Sequence, residues 1–126
     1  MKASSLSFCA AVLFVIAGMV WGLAMAISGN HATHPGHAHL NLLGWVSLFL
    51  FGIFYHLHPA IDRNRAALVQ VWIWMIGVVI QAYGVGRVFT GHPEGEAFAA
   101  IGSFIVLGAM LIFGWLVYRR ERYAAA

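Results

Sequence analysis

Four apolar runs, Leu6–Ser28, Ala38–Leu57, Leu68–Phe89 and Phe98–Tyr118, fill most of this 126-residue chain. Each is close to the ~20 residues that cross a bilayer as a helix. Inside lipid, backbone N–H and C=O groups must bond within the chain, and a helix does this locally. Only 9% of residues are charged and 62% are hydrophobic, far from the ~25% charge of an ordinary soluble domain. The sequence therefore predicts an all-α, integral membrane four-helix bundle, one domain over residues 1–126 with no soluble part. Its immediate surroundings are the lipid bilayer.

The short connections alternate in charge. Lys2, the second connection His58–Ala67 (Arg63, Arg65) and the tail (Arg119, Arg120, Arg122) are positive. The first connection, Gly29–Gly36, carries histidines, and the third, Thr90–Glu96, is acidic. Positive loops stay in the cytoplasm, so both termini are expected there and the first and third connections outside. The expected location is a bacterial inner (cytoplasmic) membrane. The net charge of +3 reflects topology and implies no nucleic-acid partner, because the arginines form no long basic face. Lys2, an apolar stretch and Ala24-x-Ala26 imitate a signal peptide, but the stretch exceeds the 7–15 residues of a signal core. An uncleaved first span is expected. Cys9 is the single cysteine, so no intrachain disulfide forms.

Helical spacing assigns faces to the spans. Span one carries the small-residue ridge Gly18, Gly22, Ala26. Span two aligns His37, Asn41, Gly44, Leu48, Gly52 and Tyr55, with Leu42, Val46, Phe49, Leu50, Ile53 and Leu57 opposite, facing lipid. Span three aligns Gln70, Gly77, Gln81 and Gly84. Span four aligns Ala99, Gly102, Val106, Ala109 and Phe113. Small residues let membrane helices approach, and glutamines hydrogen-bond between them. The five tryptophans, Trp21, Trp45, Trp72, Trp74 and Trp115, are expected mostly at lipid or in interfacial belts.

No Asp, Glu, Lys or Arg sits near the middle of a span, which argues against a pump or ion-coupled transporter. Five of seven histidines, His31, His34, His37, His39 and His92, fall near the outer face. Neutral imidazole ligates haem iron, copper and zinc, and three or four neighbouring rings suit copper or zinc. His37 and His39 are two apart, about 200° on a helix. If the helix starts before both, only one faces the bundle. The stripe favours His37, leaving His39 toward lipid or a second protomer. Arg87, near the outer end of span three, is either a snorkelling anchor or a partner for an anionic group. Glu94 and Glu96 are second-sphere candidates or merely solvated. His56 and His58, at the inner end of span two, read as interfacial residues.

His39-Leu-Asn41-Leu-Leu, continued by Gly44-Trp45 through Tyr55 to Pro59, resembles the second transmembrane helix of the large subunit of haem–copper oxidases. The likeness is nearest to nitric oxide reductases, where a His two residues before an Asn opens the helix carrying a low-spin haem ligand. The Gly18-x-x-x-Gly22 span resembles that family's first helix. The resemblance covers about half the chain and matches spans three and four much less. It implies His39 as an axial ligand of haem b; Arg87, by its charge and place, is then a candidate partner for a propionate. The family's second axial ligand and its copper or iron site lie on helices this chain does not match. A second ligand would come from His92, another outer histidine or another protomer.

The leading expectation is a homo-oligomeric membrane protein binding haem b, in electron transfer with a redox partner or in diatomic-gas chemistry. Any oxidoreductase activity of the cytochrome c oxidase or nitric oxide reductase type would be incomplete in this chain alone. The alternatives are a copper- or zinc-binding protein using the outer histidines, and a structural or assembly subunit.

Overall fold

The computed structural model describes residues 1–124, which are helical apart from short connections. Helix α1 spans Ala3–Ser28, α2 His34–Leu57, α4 Arg65–Val88 and α5 Gly95–Tyr118. All four are long and apolar enough to cross a membrane. Two short helices, α3 (Pro59–Asp62) and α6 (Arg120–Ala124), lie at the arginine-rich end. The four long helices begin about one turn before the apolar runs, because the ends are set by capping chemistry. Pro35 occupies the first turn of α2, where a missing N–H costs nothing. Asn64 caps α4 by accepting from Ala66 N at 2.8 Å. Gly29 closes α1 with φ of 68°, a left-handed turn that favours glycine.

The start of α1 is capped from a distance. Asp62 accepts from Ser4 N at 2.7 Å and from Ser4 Oγ at 2.8 Å, and both residues are buried. A carboxylate thus meets unpaired N–H groups at the positive end of a helix dipole. This contact pins the second connection to the amino terminus.

Two hairpins make the bundle. In the first, Phe14 packs where a Cβ on Gly44 would sit, and Phe8 does the same at Gly52. In the second, Gly77 faces Ile105 and Val106, Gly84 lies on the Ala99 backbone, and Gly102 lies on Gln81. The small-residue alignments of spans three and four therefore meet as one seam. The hairpins join through Phe51, Trp74 and Phe113, with ring centroids 4.4–4.8 Å apart around Phe51. Below them Tyr55 donates to Gln70 Oε1 at 2.8 Å. The six residues assigned to the lipid face of α2 are all exposed.

Among the tryptophans, Trp45, Trp72 and Trp115 are exposed, whereas Trp74 is 1% exposed. The expectation of a belt residue fails at Trp74 because its indole has a partner inside. Residues Leu40–Ser47 of α2 form a π-helix. There Trp74 Nε1 donates to Leu43 O at 2.9 Å, and Ser47 Oγ donates to Leu42 O at 3.0 Å. A π segment disturbs the i→i−4 ladder, and such segments concentrate at functional sites. Side-chain donors serve its carbonyls where no water can.

Candidate functional site

The π segment begins one residue after His39. Helix α2 starts at His34, ahead of both His37 and His39, so the two rings diverge. Each enters a different groove, and their nitrogens have different partners.

His37 turns toward α1. Its Nε2 is 3.1 Å from Asn41 Nδ2, and its ring lies edge-on to Trp21 at 6.3 Å. Trp21 in turn donates to Thr33 Oγ1 at 2.9 Å. A Cβ on Gly22 would lie 3.2 Å from His37 Cε1, and one on Gly18 would collide with the Asn41 amide. The ridge on α1 is thus the floor for these two side chains. Whichever way the amide is turned, Asn41 occupies His37 Nε2, which suits helix packing better than ligation.

His39 turns the other way. Its Nδ1 is 2.8 Å from Pro35 O. A carbonyl only accepts, so the neutral ring carries its proton on Nδ1 and keeps the lone pair on Nε2. This second bond fixes tautomer and ring direction, as second-sphere carbonyls do for ligating histidines. The ring lines a groove of about 720 Å³, together with Leu43 of α2, Trp74 and Gln81 of α4, and Ser103 and Met110 of α5. The volume lies within the 300–1,000 Å³ usual for ligand pockets. Exposed Leu42, Leu107 and Met110 at its rim open it sideways. Its polar wall is one chain of bonds: Gln81 Nε2 donates to Ser103 Oγ at 2.8 Å, and Ser103 Oγ donates to Ala99 O at 2.8 Å.

The remaining candidate residues at this end do not join this groove, except His34, which lines it from α2 and is exposed. His34 lies 6.4 Å from His37, ring to ring. His31 is exposed, its Nδ1 3.3 Å from Gly29 O. His92 Nδ1 is 3.2 Å from Thr90 Oγ1 in the third connection. Arg87 Nη2 pairs with Glu94 Oε1 at 2.7 Å, and this bond holds the Glu94 carboxyl below its ordinary range. Among the described residues, no three His, Cys, Asp or Glu side chains come together in a group able to hold a metal ion.

The sequence pattern brought His37 and His39 forward but gave no sign of the π segment. It assigned Gln81 to packing and left Ser103 out of the site. The signal for Ser103 was available: a hydroxyl four residues after Ala99 on an apolar helix, where it can bond back to a carbonyl.

Comparison with known proteins finds two relatives, both named cytochrome c oxidase subunit 1 and both from Thermus thermophilus. One is 35% identical over 108 residues, covering 67% of this chain and 19% of the relative. The other is 35% identical over 63 residues, covering 44% of this chain and 58% of the relative. The chain thus spans about a fifth of the first relative's length and under three-fifths of the second's. No family model matches the chain, and no solved structure matches it. The resemblance to a haem–copper oxidase large subunit is supported as a distant one; neither relative carries the nitric oxide reductase name.

Proposed function

We propose that this chain is a membrane haem b protein related to haem–copper oxidase large subunits, with His39 as an axial ligand. The observation that carries the reading is the Nδ1–Pro35 O bond, which leaves the Nε2 lone pair of an imidazole that lines a large apolar groove. The donor and the cavity fit the group: a neutral imidazole for the iron and apolar walls for the macrocycle. When bound, haem supplies one-electron redox chemistry and, at any open coordination position, affinity for a diatomic gas. The chain's own residues bind and orient. Pro35 O aims His39, and buried Trp74 and half-buried Leu43 supply apolar lining beside it.

The second ligand is proposed to come from another copy of the chain. His34 is on the same helix as His39 and cannot oppose it across a planar ring. His92 is bonded to Thr90 and does not line the groove, and Arg87 is paired with Glu94. A groove open sideways suits a homo-oligomer in which two His39 rings share one haem. The outer face of a bacterial inner membrane is the proposed place, by the charge alternation of the connections.

The test is an optical spectrum of the protein purified from its native membrane, with native mass spectrometry for stoichiometry. A Soret band with sharp reduced bands is expected, at one haem per two chains. His39→Ala should remove it, and His37→Ala should retain it if the bundle holds. A spectrum unchanged in His39→Ala, or lost only in His92→Ala, refutes the assignment. Metal analysis checks the copper or zinc alternative, which the scattered histidines do not favour.

A further inference from the structure

At the opposite end of the bundle a second histidine has the same electronic arrangement in different company. His58 Nδ1 is 2.7 Å from Phe54 O, and its ring stacks on Phe54 at 4.3 Å between centroids. The carbonyl only accepts, so Nδ1 carries a proton, and in the neutral ring Nε2 is an acceptor. His58 lines a cleft of about 420 Å³ between α3 and α6, with Leu57, Pro59 and Ile61 as apolar wall and Arg120 and Tyr123 opposite. This cleft shares no residue with the His39 groove.

The chemistry of the cleft is uneven. It offers one fixed positive charge, one phenol, one acceptor nitrogen and an apolar wall that continues onto the lipid-facing side of α2, where Leu57 is exposed. Arg120 is held only loosely: its Nη2 is 3.5 Å from Glu121 Oε1, and those side chains are 47% and 86% exposed. Its Nη1 donates to Val117 O at 3.3 Å. Such a pair at the surface contributes little and yields to a better anion. Arg63, Arg65, Arg119 and Arg122 flank the same end and outnumber Asp62 and Glu121 there, so the local field favours a negative ligand. Basic pockets between membrane helices at this level suit lipid headgroups.

We propose that this cleft binds an anionic phospholipid with a glycerol headgroup. The phosphate lies on Arg120 with Tyr123 as a second donor, a headgroup hydroxyl donates to His58 Nε2, and an acyl chain follows Leu57. In its neutral form His58 selects the headgroup: the Nε2 lone pair repels a bare phosphate oxygen and accepts from a hydroxyl. Charge alone explains a preference for any anionic lipid. The tautomer adds a preference among anionic lipids.

The test is native mass spectrometry of the full chain released from nanodiscs of phosphatidylcholine doped with equal parts of phosphatidylglycerol and phosphatidylmethanol. Phosphatidylmethanol is anionic but has no headgroup donor. Retention should rank phosphatidylglycerol over phosphatidylmethanol over phosphatidylcholine. Arg120→Gln should lower both anionic lipids about fivefold, the ratio for one phosphate–arginine contact near a membrane. His58→Phe should equalise the two anionic lipids while leaving both above phosphatidylcholine. Glycerol 3-phosphate in solution should not displace the lipid, since it lacks the chain. Equal retention of phosphatidylglycerol and phosphatidylmethanol by the unmodified protein overturns the proposal, and so does a ranking indifferent to Arg120→Gln. Displacement by glycerol 3-phosphate overturns the lipid as occupant. The ranking on the unmodified protein needs no variant to fold.

Discussion

Trp74→Phe probes the link between the π segment and the rest of the bundle. The indole is 1% exposed, and its Nε1 is the side-chain donor to Leu43 O at 2.9 Å. Phenylalanine keeps an aromatic ring for the edge contact with Phe51 but removes the donor and part of the volume. The hydrogen bond contributes about 0.6–1.7 kcal/mol, the range for side-chain bonds inside membranes. The partial cavity adds about 1–2 kcal/mol, toward the low end of large-to-small losses. The expected destabilisation is therefore about 2–3 kcal/mol. Trp72→Phe is the control: Trp72 is 47% exposed, on the lipid side of the same helix, and about 0.5 kcal/mol or less is expected there. Both are measured by reversible unfolding in mixed dodecyl maltoside and dodecyl sulfate micelles, followed by far-ultraviolet circular dichroism. If Trp74→Phe falls within about 0.5 kcal/mol of Trp72→Phe, the carbonyl of Leu43 does not depend on Trp74. The account of the π segment then fails.

Three further outcomes are expected. In a Cys9→Ala background, Asn30→Cys and Arg63→Cys, both at exposed or half-exposed loop positions, should react with impermeant maleimide from opposite sides of sealed vesicles; labelling from one side rejects the proposed topology. Gly84→Leu should separate α4 from α5 and cost about 3 kcal/mol, the upper end for overpacking, because even a Cβ there collides with the Ala99 backbone; unfolding as above, with wild-type stability as the refuting result, checks it. Arg87→Ala should raise the Glu94 carboxyl toward its ordinary value, read by carbon-13 titration of the side chain. The sign follows from the lowered folded-state value: the pair's contribution is present above the unfolded carboxyl range and is lost as pH falls through the folded one. Glu94 is exposed and Arg87 half-buried, so salt should shrink the shift, and a shift insensitive to salt would contradict a solvent-screened pair.

The fold was legible because the bilayer permits few alternatives. Gly77, Gly84 and Gly102 were visible as a seam before their partners were known, since only small residues allow that approach. The lipid face of α2 was equally plain from spacing. The site was less so. Spacing alone sets His37 and His39 about 200° apart but does not say what each ring meets. That depended on Asn41 reaching back one turn to His37 and on Pro35 presenting its carbonyl to His39. Trp74 was misplaced because tryptophan composition signals a belt, while a buried indole needs a long-range acceptor that no local pattern encodes. In the sequence Asp62 is simply the one acidic residue of the connection His58–Ala67. Its role as the cap of α1 spans 58 residues and arises only when the ends of the bundle meet.

The sideways opening of the His39 groove changes what can hold an occupant. A ligand entering a pocket from water is driven by shedding water from apolar surface. One entering through this opening leaves acyl chains that are as apolar as Leu43 or Met110, so burial supplies almost no net drive. The resident competitor is a lipid tail, present at the concentration of the leaflet itself. Under the proposed reading, discrimination then falls to the few contacts a tail cannot make: coordination by the His39 imidazole and hydrogen bonding to Gln81 and Ser103. Occupancy in such a groove responds steeply to a single polar atom and weakly to the size or greasiness of the ligand, the reverse of an apolar pocket facing water.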